Sequence, residues 1–234
     1  MNVSGLLASF ELLEPYRALR EELQSGGSPP ALSLLRAARP ALVAALVRDL
    51  KRPMLVVVGS VERAKALAHS LRDWSLTPER ILRFPEPLTL FYERAPWTDE
   101  VIAGRLHVLS AFQPAPLSST PLSSTSPPLV VVASARALMQ RTLPPRQFRS
   151  STREFRVNQM LDLEQALGHW AGLGYEPVSV VEAPGQFSHR GGILDIFPPA
   201  DPLPVRIELF GSQIESLRRF DPATQRSQER VESI

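Results

Sequence analysis

The chain has 234 residues, of which 44% are hydrophobic, so it can bury one large core or two modest ones. It contains no cysteine, which excludes disulfides, thiolate metal sites and thiol catalysis. A formal net charge of +2 is too small to indicate a nucleic-acid partner, and no apolar run approaches the roughly 20 residues that span a bilayer. The N-terminus carries no signal-peptide pattern, so we expect a cytoplasmic protein without membrane contact.

In the first part of the chain, apolar runs of strand length alternate with segments of helical periodicity. The predicted helices are 6–24, 40–50, 60–74, 98–112 and 135–140, and the predicted strands are 31–35, 54–58 and 129–132. Ser60 and Thr98 are suited to cap two of these helices. The alternation is typical of a parallel α/β sheet. Residues 113–128, rich in Pro, Ser and Thr, are predicted to form a flexible loop.

The pattern changes near Pro144. One helix is predicted at 161–172, and short strands are predicted at 178–182, 186–190, 193–197, 205–210 and 213–220. Pairs that contain glycine or proline mark the turns between these strands. The arrangement is typical of an antiparallel α+β domain. We therefore predict two domains, residues 1–143 and residues 144–234.

A strand at 31–35 followed by a helix at Pro40 is the order expected of a RecA-like nucleotide-binding fold. In a working phosphate-binding loop, glycine N–H groups cradle the phosphates, a lysine contacts them and a hydroxyl holds Mg²⁺. Residues 36–41 are Arg-Ala-Ala-Arg-Pro-Ala, without glycine, lysine, serine or threonine. Pro40 also removes one N–H donor. We therefore expect no ATP hydrolysis and no cofactor in this chain.

Other catalytic constellations are equally weak in the sequence. The histidines lie far apart and lack the spacing of metal ligands: His69, His107, His169 and His189. No nucleophile-elbow or zinc-protease motif occurs. We predict neither catalytic nor metal-binding residues.

The strand at 205–210 alternates between apolar and polar residues, so it is expected to be half-buried. Its polar face carries Arg206 and Glu208, and Arg190 ends a neighbouring predicted strand. These charges either bind the complementary charges of a partner or merely pair across strands. Asp195 is expected to hold Arg190 or a turn. Four apolar residues are predicted to lie in the core: Phe187, Ile193, Ile196 and Phe210.

Residues 174–221 contain Gly174-Tyr175, then Gly185-Gln-Phe-Ser-His-Arg190-Gly-Gly-Ile-Leu-Asp-Ile-Phe-Pro198, then Arg206-Ile-Glu-Leu-Phe210. This stretch resembles the second domain shared by UvrB and the bacterial transcription-repair coupling factors (Mfd). A weaker resemblance, including residues 130–141, covers almost the whole chain. UvrB needs an intact phosphate-binding loop and inserts a long aromatic hairpin, for which residues 91–97 are too short. The resemblance is therefore to the N-terminal UvrB-homology module of the coupling factors.

The resemblance implies a degenerate RecA-like or helicase-like α/β domain without a P-loop, followed by a small antiparallel domain like UvrB domain 2. It implies a non-catalytic module that recruits UvrA to stalled RNA polymerase in transcription-coupled nucleotide excision repair. It assigns Arg190, Arg206 and Glu208 to the UvrA-binding surface, with Phe197 either in the core or an exposed anchor. Ser188 and Glu176 depart from arginines common in the family. Arg190→Glu or Arg206→Glu is predicted to abolish UvrA capture without changing the fold.

The resemblance further implies that the chain is part of a much larger protein. The intact family member is an ATP-dependent DNA translocase whose motor domains use ATP and Mg²⁺. RNA polymerase and DNA are expected to bind to its other domains, which are themselves partners of this chain.

Two alternatives remain open. One is a nucleic-acid-binding module built on a cluster of arginines: Arg136, Arg141, Arg146, Arg149, Arg153 and Arg156. The other is a UvrB-type nucleotide-binding domain with cryptic hydrolase activity.

Overall fold

The computed structural model describes residues 3–87, 97–112 and 127–234. The predictions for residues 91–96 and for most of the 113–128 loop lie outside the described residues. By its contacts the chain divides into two units, Met1–Ala95 with Leu117–Arg141 and Pro96–Pro116 with Thr142–Ile234. The division into two domains, residues 1–143 and residues 144–234, stays a prediction. None of the described helices is long and apolar enough to span a membrane.

The described helices are α1 (Glu14–Gln24), α2 (Arg39–Leu50), α3 (Val61–Trp74), α4 (Asp99–Ala111), α5 (Ala135–Met139), α6 (Pro145–Ser151) and α7 (Leu163–Gly172). The described strands are β1 (Met54–Val58), β2 (Ile81–Phe84), β3 (Val130–Ser134), β4 (Glu176–Pro177), β5 (Gln186–Arg190), β6 (Ile193–Ile196), β7 (Val205–Phe210), β8 (Gln213–Phe220) and β9 (Ser227–Val231). Within the described ranges, 3₁₀ helices lie at Ser4–Leu12, Arg36–Ala38 and Pro78–Arg80.

The first unit contains a parallel sheet in the order β1–β3–β2. Residues of α2, α3 and the sheet share one core, which includes Ala45, Leu71 and Val132. The predicted cap of α3 is confirmed, because the Ser60 hydroxyl oxygen accepts a hydrogen bond from the Arg63 N–H. Thr98 precedes α4 as predicted, although its side chain makes no capping hydrogen bond. Strand β2 was not predicted from the sequence.

Two predictions for the first unit are wrong. Residues 31–35 form no strand, and the chain there leads into the 3₁₀ helix at 36–38 with Leu32 and Leu35 exposed. Those apolar side chains therefore do not belong to the sheet. The predicted helix 6–24 is split at Leu13, whose backbone is extended. Pro15 explains the split, because its nitrogen cannot donate a hydrogen bond to the preceding turn.

The second unit contains a six-stranded sheet in the order β4–β5–β6–β7–β8–β9. Only the short β4 pairs in parallel, and the remaining pairs are antiparallel as predicted. Trp170 of α7 packs against one face, with its ring edge-on to Phe155 and Phe187 at centroid distances of 6.0 and 5.6 Å. Residues 178–182, predicted as a strand, are not one, and β9 was not predicted. The predicted combination of a parallel sheet and an antiparallel sheet is nevertheless confirmed.

The antiparallel sheet separates two sets of buried side chains. Alternation along the strands directs the larger set, with Leu194, Ile207 and Leu217, towards α7. Val181, Phe197 and Phe220 form a smaller cluster, and alternation places the last two on the opposite face of the sheet. The segment 178–181 thus covers part of that opposite face, and the remainder carries the site described next.

Candidate protein-docking surface on the antiparallel sheet

The strand register places the predicted charged residues on one face that four adjacent strands share, β5 to β8. One cross-strand row contains Ser188, Asp195, Arg206 and Arg218, and the next contains Arg190, Ile193, Glu208 and Ser216. Alternation along β7 adds Phe210 to the same side. We refer to these nine residues as the polar face. Arg190, Arg206 and Glu208, which are up to eighteen positions apart in sequence, are therefore neighbours in space.

Arg206 is committed to an ion pair within the polar face. Its Nε and one terminal nitrogen donate to the two carboxylate oxygens of Asp195, both at 2.8 Å. The guanidinium carbon also lies 4.8 Å from the ring centroid of Phe220. The hydrogen bonds that Arg206 donates to Asp195 raise the pKa of Arg206, so the guanidinium stays charged. Asp195 thus holds Arg206, rather than Arg190 or a turn as predicted, and it occupies the Nε side of the guanidinium.

Arg190 is exposed at the end of β5, beside the turn at Gly191 and Gly192. One terminal nitrogen donates to the Ser179 carbonyl and so ties β5 to the covering segment. A guanidinium has five N–H donors, so this single bond leaves most of the fork open to solvent. Arg190 is the predicted residue best placed to bind the carboxylate of another protein.

Glu208 is half-buried between two neighbours of β8. It accepts a hydrogen bond from the Ser216 hydroxyl, and its nearest contact with Arg218 is a 3.5 Å ion pair. The Nε of Arg218 is buried and has no hydrogen-bond partner among the described residues. This pair is therefore held more loosely than the pair formed by Asp195 and Arg206.

Comparison with known proteins assigns a family to this sheet. Residues 154–234 match the family model of the UvrB interaction domain. The chain is 32% identical over 225 residues to the transcription-repair-coupling factor of Myxococcus xanthus, and 31% identical over 221 residues to that of Bacillus subtilis. Both matches cover 94% of this chain. The chain is homologous to the transcription-repair-coupling factors. It spans only 18% and 17% of the length of these two relatives.

A third coupling factor, from Mycobacterium bovis, is 32% identical over 205 residues, which cover 87% of this chain and 16% of that protein. The resemblance stated from residues 174–221 is therefore confirmed. The UvrB interaction domain match covers the whole of the sheet from β4 to β9.

Three of the four predicted binding residues lie together in the UvrB interaction domain, and the fourth does not. Arg190, Arg206 and Glu208 share the polar face, whereas Phe197 is only 6% exposed and packs against Val181 and Phe220. Of the two alternatives predicted for Phe197, a core residue or an exposed anchor, the structure shows the core residue. Phe197 is buried because the segment 178–181 covers it, and the path of that segment cannot be predicted from the sequence.

Two residues predicted as core are instead exposed on the polar face. Phe187 and Ile196 are buried as predicted, but Ile193 is 41% exposed and Phe210 is 79% exposed. In β7, Leu209 faces the core, so alternation directs Phe210 outward beside Glu208. The same alternation, extended by one residue along the sequence, would have identified Phe210.

A shallow cavity of about 280 Å³ lies within the polar face of the UvrB interaction domain. Its walls include Val180, Ile193 and the ion pair of Asp195 and Arg206. An apolar wall beside charged groups is suited to a protein side chain that has both apolar and polar parts. No group of His, Asp or Glu side chains in the described ranges is placed to hold a metal ion. The departures from the family pattern, Ser188 and Glu176, lie buried in β5 and exposed in β4.

Proposed function

We propose that this chain is a non-catalytic docking module of a transcription-repair-coupling factor and recruits UvrA during transcription-coupled nucleotide excision repair. The observation that carries the proposal is the polar face of the UvrB interaction domain. It combines an exposed guanidinium, a half-buried carboxylate and exposed apolar side chains on one rigid sheet. The homology to coupling factors supports the process, and the matched domain family supports a UvrA-like partner.

The chemistry of the polar face is that of a protein interface. Arginine binds carboxylates in a planar, bidentate geometry and is weakly hydrated, so its desolvation costs less than that of lysine. Arginines and aromatic residues are also the commonest residues whose truncation costs ~2 kcal/mol or more of binding free energy. Arg190 provides an arginine that can bind a carboxylate, and the pair of Asp195 and Arg206 gives the surface a fixed charge pattern. We assign UvrA binding to Arg190 and Glu208, with Arg206 holding the surface in shape.

The proposal includes the absence of catalysis in this chain. We regard the first unit as a degenerate RecA-like domain, on the support of its parallel sheet and the helices packed on it. The connection before α2 is a 3₁₀ helix without glycine, and Pro40 lies in the first turn of α2. Such a connection offers no cradle of N–H groups for phosphates. A melting temperature that does not change with ATP and Mg²⁺ is expected, and a concentration-dependent rise would contradict this part of the proposal.

We propose that other domains of the same protein supply ATP-dependent movement and contacts with RNA polymerase and DNA, in the cytoplasm. Of the arginines in the alternative DNA-binding cluster, Arg136 pairs with Glu86 at 3.1 Å and Arg156 pairs with Glu154 at 2.9 Å. These pairs reduce the positive charge that a DNA phosphate would meet. Fluorescence anisotropy with duplex DNA at two salt concentrations tests the alternative, which requires binding that weakens steeply with salt.

The docking proposal is tested by capture of purified UvrA on the immobilised 234-residue chain. Arg190→Glu reverses an exposed charge on the polar face and is expected to abolish capture. Arg153→Glu makes the same charge change at an exposed position outside the sheet and serves as the matched control. Equal capture by both variants and the wild type would remove the polar face as the binding surface.

A further inference from the structure

We propose, on the basis of the docking function above, that the partner is held by three residues that the family resemblance does not assign: Phe210, Ile193 and Arg218. Together they form an apolar and cationic anchor around Glu208. The complementary surface on the partner is an apolar pocket with a carboxylate at its edge. This anchor set is distinct from Arg206, whose side chain is already bound within the sheet.

Phe210 is the first element of the anchor. Its ring is 79% exposed although the residue before it packs in the core and the turn at Gly211 follows it directly. A rigid strand therefore presents a large apolar ring to solvent. Aromatic side chains are enriched at protein interfaces because they bury a large area while losing little conformational freedom.

Ile193 extends the apolar part of the anchor. It lies directly opposite Glu208 in the β6–β7 register, and Phe210 follows Glu208 by two positions on the same side of β7. Residues two apart on a strand are about 7 Å from each other. Glu208 is therefore flanked by two exposed apolar side chains, which a pocket on a partner can cover together.

Arg218 is the cationic element, and its present contacts are weak. It makes one ion pair of 3.5 Å with Glu208, whose carboxylate already accepts a hydrogen bond from the Ser216 hydroxyl. Its buried Nε has no hydrogen-bond partner among the described residues. Arg206, by contrast, makes two bonds of 2.8 Å. Arg218 thus loses little when it turns towards a partner carboxylate, whereas Arg206 would have to break a good pair.

The charge of the open part of the face fits an acidic partner. Asp195 neutralises Arg206 within the sheet. Arg190 and Arg218 then oppose Glu208 alone, which leaves a net charge of +1 (two positive groups and one negative group). An acidic surface is attracted to this patch, and the attraction is expected to raise the association rate at low salt.

The test measures the dissociation constant of purified UvrA for the 234-residue chain and its variants. Phe210→Ala is expected to weaken binding by about 30-fold or more, and Ile193→Thr and Arg218→Gln by about 10-fold each. Arg218→Gln is also expected to reduce the salt dependence of the association rate, because it removes a positive charge. Arg218→Lys keeps the charge and is expected to retain part of that salt dependence. Leu173→Ala removes an exposed apolar side chain at the end of α7 and is the control, with no change expected.

The outcomes separate the anchor from the docking function. If Arg190→Glu abolishes binding while the Phe210, Ile193 and Arg218 variants bind like wild type, the anchor is refuted and the docking function stands. If Arg190→Glu also binds like wild type, both fail. Far-ultraviolet circular dichroism and urea midpoints identify any variant that does not fold. For such a variant, Phe210→Tyr replaces Phe210→Ala, and the anchor predicts that Phe210→Tyr retains most of the affinity.

Discussion

The ion pair between Asp195 and Arg206 predicts that Arg206 variants lose stability as well as partner binding. The side chains of Arg206 and Asp195 are 22% and 11% exposed, so water solvates either charge poorly once its partner is removed. Removing one member of a fully buried pair costs ~3–5 kcal/mol. Because this pair retains some contact with solvent, we expect Arg206→Ala to lower the free energy of unfolding by ~2–3 kcal/mol. Arg206→Glu is expected to cost more, because it places a second carboxylate against Asp195.

The assay is urea unfolding followed by tryptophan fluorescence. Trp74→Phe and Trp97→Phe in the background leave Trp170, which is buried against the sheet, as the reporter. Asp195→Ala and the double variant complete a cycle in which the coupling energy is expected to reach ~2 kcal/mol. Arg230→Ala on exposed β9 is the control, with a change within ~0.5 kcal/mol.

A coupling energy near zero, or an Arg206→Ala variant as stable as the control, would refute this account of the pair. The stability loss also changes the expectation drawn from the sequence. Arg206→Glu was predicted to abolish UvrA capture without changing the fold, and the ion pair with Asp195 now predicts a loss of stability as well. Arg190→Glu, at an exposed position, remains the variant that separates binding from folding.

Two further predictions concern stability. The Tyr16 hydroxyl donates to Asp49 at 2.6 Å, and burial, followed by this hydrogen bond, raises the pKa of Tyr16. The Tyr16 hydroxyl therefore contributes fully to the free energy of unfolding below its unfolded pKa of about 10, and this contribution is lost as the pH rises through the folded pKa. In urea unfolding above pH 10, Tyr16→Phe should accordingly lose less stability than the wild type does. A methyl group at Gly192 would lie 2.8 Å from the Leu209 carbonyl oxygen, so Gly192→Ala is expected to cost ~1–3 kcal/mol. Gly168→Ala, within α7 and without a neighbour inside 4 Å, should stabilise by ~0.5–1 kcal/mol, and equal effects of the two substitutions on thermal melting would contradict the packing argument.

The elements that the sequence predicted well have a strong local pattern. Met54–Val58 is a compact apolar run, Ser60 has the cap chemistry of a helix start, and the strand at 205–210 alternates clearly. The missed strand β9 is polar and mostly exposed, so no hydrophobic period marks it. The error at 31–35 is the reverse case, because an apolar run without a neighbouring strand remains irregular and exposed.

The candidate site was only partly accessible to sequence reasoning. Alternation correctly placed Arg206 and Glu208 on one face, because the side-chain period of a strand is two. The partner of Asp195 depends on the register between β6 and β7, which an eight-residue connection sets and no local pattern reveals. The path of the segment that buries Phe197 is likewise a tertiary feature.

Because β7 has one buried face and one exposed face, its length cannot change by one residue without moving side chains from one face to the other. A deletion of one residue inside Val205–Phe210 would exchange the sides of every later residue in that strand. Glu208 would then point into the core that contains Trp170, and Leu209 would face solvent on the polar face. In relatives, changes of one residue are therefore expected in the turns, where Gly191 and Gly211 lie, rather than within β7, and a natural homologue with an odd-length change within this strand should have lost its partner.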